Sequence, residues 1–410
     1  MAMARRHHGL ILTSLLSLCA AWLVSPVGAL GMLRQDPAPG PTAPTPAGKG
    51  PEHGNGGEQS LLEQARMLED QAGALYGLGQ YAEALRVQRL SVESHRQLVA
   101  HDPSQSLKLA ASLHNLGVVL IRLGRKDEAI PPTAEALALY QADSSAQGGD
   151  ASVALERPLR NLVLLYLEAN RPLEALPLAD ALVRLHDTVP LRDPASRAQR
   201  MDVLNLRASL LVALNRPNEA WRDLDRAVSV ARELAGEAPD NLALRHGLAG
   251  SLLNHSQVAE MVGQGEQAKR SAQEAEAILG SLARLHPELK GDWAKALSQL
   301  GQVYATTGDA SRARPPLEEA ISLMRTLNPA GPTGTLAVEI GGYRDDLAHA
   351  LDILALVNHQ LKRPREARAA GVEAMELYTL LSRNDPRYQG EVERLRSWLS
   401  RWPEAIPATR

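Results

Sequence analysis

Apolar residues recur three and four positions apart along most of this chain. In "HNLGVVLIRLGRKDEAIPP", from His114 to Pro132, Leu116, Gly117 and Leu120 continue a helical stripe that begins at Leu113. Gly124 interrupts it, and a second stripe opens near Ala129. This skeleton of helix, turn and helix keeps returning. Aligned on the turn residue, the copies fall at Gly79, Gly124, Asn170, Asn215, Gly263, Gly308 and Lys362, with successive spacings of 45, 46, 45, 48, 45 and 54. A period this regular predicts a solenoid of helix pairs, each covering the apolar face of the next.

The positions around each turn have a physical reading. Gly or Asn at the turn can take the left-handed conformation that stops a helix, and Lys362 departs from this rule. Seven residues earlier a small residue recurs, at Ala72, Gly117, Ala208, Gly301 and Ala355. Five residues later the chain always places alanine: Ala84, Ala129, Ala175, Ala220, Ala268, Ala313 and Ala367. Small side chains at these two places let paired helices approach closely.

With Asn115-Leu116-Gly117, the Gly124 turn and the Glu128-Ala129 pair, the pattern resembles the tetratricopeptide repeat, over roughly residues 62–385. The resemblance implies an all-α fold: a right-handed α-solenoid of about seven helix-turn-helix repeats spanning 59–386. The copies exceed the usual ~34 residues by about 11, or ~16 Å of helix, and most of the surplus is expected in the second helix and the loop after it. Pro131, Pro177 and Pro315 each follow the alanine by two residues, and this longer form looks like the kinesin-light-chain-like branch. Residues 387–410, with Trp398 and Trp402, read as a C-terminal capping helix and tail.

Composition narrows the rest. The chain has no Phe and few aromatics, which disfavours sandwiches and barrels. A net charge of -3 removes the electrostatic footprint of a nucleic-acid binder. The single Cys19 permits neither an intrachain disulfide nor a cysteine metal site.

The first 29 residues read as an export signal: Arg5 and Arg6, an apolar run from Gly9 to Val24, Pro26, then the small-residue stretch Val27-Gly28-Ala29. The run is shorter than a typical spanning helix, although a retained anchor is the second reading. A lipoprotein box at Cys19 is disfavoured by Leu18, and twin-arginine export by His7 and His8. Residues 30–58, rich in Pro and Gly, read as a disordered linker. A periplasmic or extracellular location in a bacterium is expected, with contact to membrane only through an uncleaved N-terminus.

No catalytic motif is present: no HExxH, no GxSxG, no phosphate-binding loop and no Cys-His pair. No cofactor and no metal are expected. His114, His246 and His255 read as isolated surface or groove residues, and the Asn254 sequon as chance within a helix.

What remains is a surface. The resemblance implies that the first helices line a concave groove that binds a protein or peptide. Its candidates are His114, Arg122, Arg157, Arg160, Asn205, Gln257, Lys295 and Gln302, with Arg66, Glu69, Asp202, His349 and Asp352 at related positions. Arg122, Arg157 and Arg160 form an expected basic patch for an acidic segment. Arg157 with Asn161 matches one helix of the family's chaperone-tail clamp, but Asp202 and Gly250 break it, so no such clamp is expected. The function expected is a non-catalytic exported scaffold, and the alternative is an anchored envelope assembly protein.

Overall fold

A computed structural model describes residues 56–147, 152–188, 193–327, 343–383 and 385–401. The signal segment, most of the linker, Trp402 and the tail lie outside the described residues. Among the described residues there are fifteen α-helices, three short 3-10 turns and no strand. None of these helices is long and apolar enough to cross a membrane.

The helices fall into two compact units. The first holds three pairs: α1 (Gly56–Gly77) with α2 (Tyr81–His101), α3 (Ser106–Arg122) with α4 (Lys126–Gln147), and α5 (Ser152–Glu168) with α6 (Pro172–Thr188). The second holds four: α7 (Pro194–Ala213) with α8 (Pro217–Glu237), α9 (Leu242–Met261) with α10 (Gly265–Leu285), α11 (Lys290–Thr306) with α12 (Ala310–Leu327), and α13 (Arg344–Gln360) with α14 (Pro364–Leu381). A last helix, α15 (Gln389–Leu399), follows and packs on α14. Because α1 begins at Gly56, the last three residues assigned to the linker are helical.

All seven turn residues have positive φ, from 55° at Asn170 to 87° at Gly308. At Gly124 the turn closes with Arg125 N–H donating to Leu120 C=O at 2.9 Å, which satisfies a carbonyl the ending helix would orphan. Lys362 takes the same conformation, φ 57°, and Arg363 N–H donates to Asn358 C=O at 2.8 Å in the same way. The surrounding helix pair imposes a geometry that lysine does not favour.

Each of the seven recurrent alanines is fully buried. The small residue seven before the turn meets the second helix so closely that larger side chains do not fit. A Cβ on Gly117 would lie 2.2 Å from Thr133 Oγ1, and one on Gly301 would lie 2.5 Å from Leu317 Cγ. Both contacts span the same sequence separation, so the two pairs share one packing register.

The extra length is divided differently from the sequence expectation. First helices run 17 to 22 residues and second helices also 17 to 22. Both members of a pair are lengthened, because a longer second helix exposes apolar surface that only a longer neighbour can cover. In the second unit α7, α9, α11 and α13 touch one another in succession, which puts the first helices on the inner side of the stack. Second helices are bridged instead by long side chains, such as Arg232 with Glu274 at 2.6 Å and Arg325 with Glu373 at 2.6 Å.

Candidate functional site

The expected groove residues sit on first helices in both units, yet their surroundings differ. In the first unit Arg157 is exposed on α5, and its charge acts on His114 of α3. Burial, with Arg157 second, depresses the His114 pKa to about 4, and its Nδ1 has no hydrogen-bond partner. Arg122 is exposed at the end of α3, where its Nε donates to the Tyr76 hydroxyl at 2.9 Å and its guanidinium lies 5.9 Å from that ring.

The three arginines do not form one patch. Arg160 is part-buried and donates to Glu156 one turn back at 2.8 Å, with His186 on the same carboxylate at 3.6 Å. Glu156 is held down to about 2, its two partners overcoming the burial that opposes them. Arg160 is therefore neutralised within the fold. Arg122 closes its helix while Arg157 lies near the start of the next first helix. In the repeat register they are 11 positions apart, or about 16 Å along parallel helices. Among the described residues no carboxylate pairs with either.

In the second unit the polar groove positions bond to each other. Asn205 Nδ2 donates to Ser251 Oγ at 2.9 Å, and Asn254 Nδ2 to Asn205 Oδ1 at 3.2 Å. Gln302 Nε2 donates to Glu260 at 3.0 Å and its Oε1 accepts from His349 Nε2 at 2.8 Å. Lys295 faces Asp346 at 3.7 Å and the Tyr343 ring at 5.5 Å. Asp352 takes Arg394 of α15, so the last helix closes the array through a groove carboxylate. Asn205, Gln257 and Gln302 are buried, which corrects the expectation of an open polar lining.

The histidines correct a second expectation. His246 is buried and meets Asp292 at 2.9 Å. His255 is buried too, with Asp225 on Nε2 at 3.1 Å, Ser271 on Nδ1 at 2.8 Å and the Trp221 ring 4.2 Å away. A carboxylate only accepts, so the neutral ring carries its proton on Nε2 and Ser271 donates to Nδ1. Ser, His and Asp thus stand in the order of a hydrolytic triad, but with access reversed: Ser271 is buried and Asp225 exposed. A nucleophile needs the opposite arrangement, so the chain of bonds joins α8, α9 and α10. No sequence spacing signals it, since each residue comes from a different helix. Among the described residues no group of three or more His, Cys, Asp or Glu is placed to hold a metal ion.

Tetratricopeptide-repeat family models match residues 63–142 and 293–331, which are α1 to α4 and the α11–α12 pair. The other pairs carry the same turns and buried alanines. Over these two stretches the chain carries tetratricopeptide repeats. No curated protein matches it. Solved structures it is similar to include a tetratricopeptide repeat protein from Parabacteroides merdae, at 16% identity and TM-score 0.45, covering 82% of this chain and 99% of that one. The apo form of RapI is matched at 10% identity and TM-score 0.49, over 98% and 99%. Putative kinesin light chain repeats of Podosopora anserina are matched at 19% and 0.41, over 57% and 99%.

Proposed function

We propose that the chain is an exported, non-catalytic scaffold that binds a protein partner, with Arg122 and Arg157 receiving carboxylates of an acidic segment. The observation that carries the reading is the pair of exposed guanidinium groups on successive first helices, uncompensated by carboxylates among the described residues. Guanidinium offers bidentate bonds to carboxylates, and its weak hydration makes binding favourable. In the repeat register the two are offset by about 16 Å along the helices, and one helix diameter adds about 10 Å across them. An extended segment with carboxylates five or six residues apart spans that diagonal at ~3.3 Å per residue. Export is supported by the Arg5-Arg6 region, the apolar run and the small residues before Leu30.

The test is titration of fluorescent peptides with glutamates at graded spacing against the full chain. Affinity should peak near a spacing of five or six and fall on Arg122→Ala or Arg157→Ala, steeply with added salt. Binding that ignores both substitutions overturns the reading. Export is tested by N-terminal sequencing from the native host, where a mature chain starting near Leu30 is expected and one starting at Met1 favours the anchor.

A further inference from the structure

Between α2 and α4 of the first unit lies a cavity of about 270 Å³. Leu113, Leu116 and Leu120 of α3 form its apolar floor. Val92 of α2 lines one side, and the rings of Pro131 and Pro132 line the other. Proline inside a helix cannot donate to the carbonyl four residues back, so the carbonyls of Asp127 and Glu128 lose their helical donors on that wall. Charged side chains of α2 and α4 surround the hollow at the surface.

Two of these charges are available. Among the described residues Glu93 makes no ion pair. Arg89 reaches one oxygen of Glu128 at 3.4 Å, while Arg125 holds both oxygens of that carboxylate at 2.7 Å. Arg89 can therefore leave Glu128 without stranding it. Arg96 differs, being tied to Glu135 at 2.7 Å. Glu93 follows Arg89 by four residues, the interval that sets two helical side chains next to each other. A loosely held guanidinium and an unpaired carboxylate thus stand together above an apolar hollow. The repeat itself does not demand them. At the same register of α10, counted from its turn glycine, stand Gln273 and Ala277, although α12 carries the same proline pair at Pro315 and Pro316.

We propose that this cavity binds a free α-amino acid with a large apolar side chain. The ligand carboxylate takes the Arg89 guanidinium, whose fork matches it in two bonds. The ligand ammonium donates to Glu93 and keeps two more N–H groups for the carbonyls on the proline wall. Its side chain leaves water for the leucine floor. Size fits this class. A cavity of about 150 Å³ holds benzene, or about 25 Å³ per non-hydrogen atom, so 270 Å³ holds about eleven such atoms. Leucine, methionine and phenylalanine are of that size. The side chains of Arg89 and Glu128 are 54% and 50% exposed, so the charged head stays at the mouth and escapes the full cost of burying charge. A peptide cannot replace the ligand, because no residue within it carries ammonium and carboxylate on one carbon. The site shares no residue with Arg122 and Arg157 and stands whether or not these bind an acidic segment.

The experiment titrates L-leucine, L-methionine and L-phenylalanine into the full chain by isothermal calorimetry. At least one should bind saturably, and glycine should not. Two analogues of the best ligand follow: its amide, which lacks the carboxylate, and the acid with hydrogen in place of the amino group. Each should bind at least about tenfold more weakly, since a site built for a polar group rejects a ligand without it. Glu93→Gln and Arg89→Gln should each weaken the parent ligand by about the same factor. Both changes lie at the surface, and thermal melting should match wild type. If a variant melts early, the two analogues decide alone. No saturable binding of any of the three amino acids overturns the proposal. So does an analogue that binds as well as its parent, or affinity that survives both substitutions.

Discussion

Glu156 accepts from Arg160 at 2.8 Å, one helical turn away on α5, while Arg157 beside it stays exposed. Neighbouring arginines on one helix thus meet different surroundings, an internal carboxylate for Arg160 and solvent for Arg157. Arg160→Ala should destabilise the chain by roughly 1–3 kcal/mol, less than the loss from a fully buried pair, because it strands Glu156 beside His186. It should leave acidic-peptide affinity nearly intact. Arg157→Ala should do the reverse. Denaturant melts and peptide titrations on both variants separate the two, and identical behaviour would contradict the assignment.

Acid should weaken the fold through histidine. His114 is held down to about 4 in the folded chain, by burial first and the Arg157 charge second, against about 6.5 when unfolded. The unfolded chain binds the proton more readily between those values. The contribution is therefore complete above pH 6.5 and is lost as pH falls toward 4, up to roughly 3 kcal/mol. His95 and His255 are also lowered, chiefly by burial, and act in the same direction. Chemical denaturation at about pH 7.5 and pH 5 should show His114→Gln losing less stability than wild type on acidification. Parallel losses would remove His114 from the account.

Helix pairing can be probed at two glycines. Gly117→Ala drives a methyl against Thr133 Oγ1, which is itself fixed on the Ala129 carbonyl at 2.7 Å. Overpacking of this kind costs about 1–3 kcal/mol. Gly73, inside α1 with nothing near its missing Cβ, should instead gain about 0.5–1 kcal/mol on change to Ala. Melting temperatures moving the same way in both variants would refute the packing register.

Lys362 gives a stabilising change. A left-handed residue with a side chain costs about 1–2 kcal/mol relative to glycine, and Lys362 holds φ 57°. Lys362→Gly should raise stability by about 1 kcal/mol, less whatever entropy glycine restores to the unfolded chain. Calorimetry on the pair of proteins measures it, and a loss of stability would mean the lysine side chain makes a compensating contact.

The repeat was legible because each turn demands a backbone that few residues adopt and each helix crossing demands a small side chain. Even Lys362 was placed correctly by its spacing to Ala367, although its identity argued against the turn. The neutralisation of Arg160 was also readable, since Glu156 precedes it by the i, i+4 interval at which helical charges pair. What the sequence hides is pairing between helices. His255 meets Asp225 and Ser271 at separations of 30 and 16 residues, and Gln302 meets His349 at 47. These distances depend on which face each helix presents, so polar residues that looked solvated are bonded and buried.

The distribution of buried side chains differs between the units. Around Leu113 and around Leu120 they gather in separate small groups, as Leu282, Ala283 and Leu289 do at the end of α10, whereas one larger body runs from Ala259 of α9 to Leu395 of α15. In a linear array the free energy of local opening follows the interfaces each segment shares with its neighbours. Backbone amides of α1 to α4 should therefore exchange with deuterated solvent sooner than those of α11 to α14. An acidic ligand held by Arg122 and Arg157 would slow that exchange, so its grip would register as suppressed breathing of the looser unit with no change of shape.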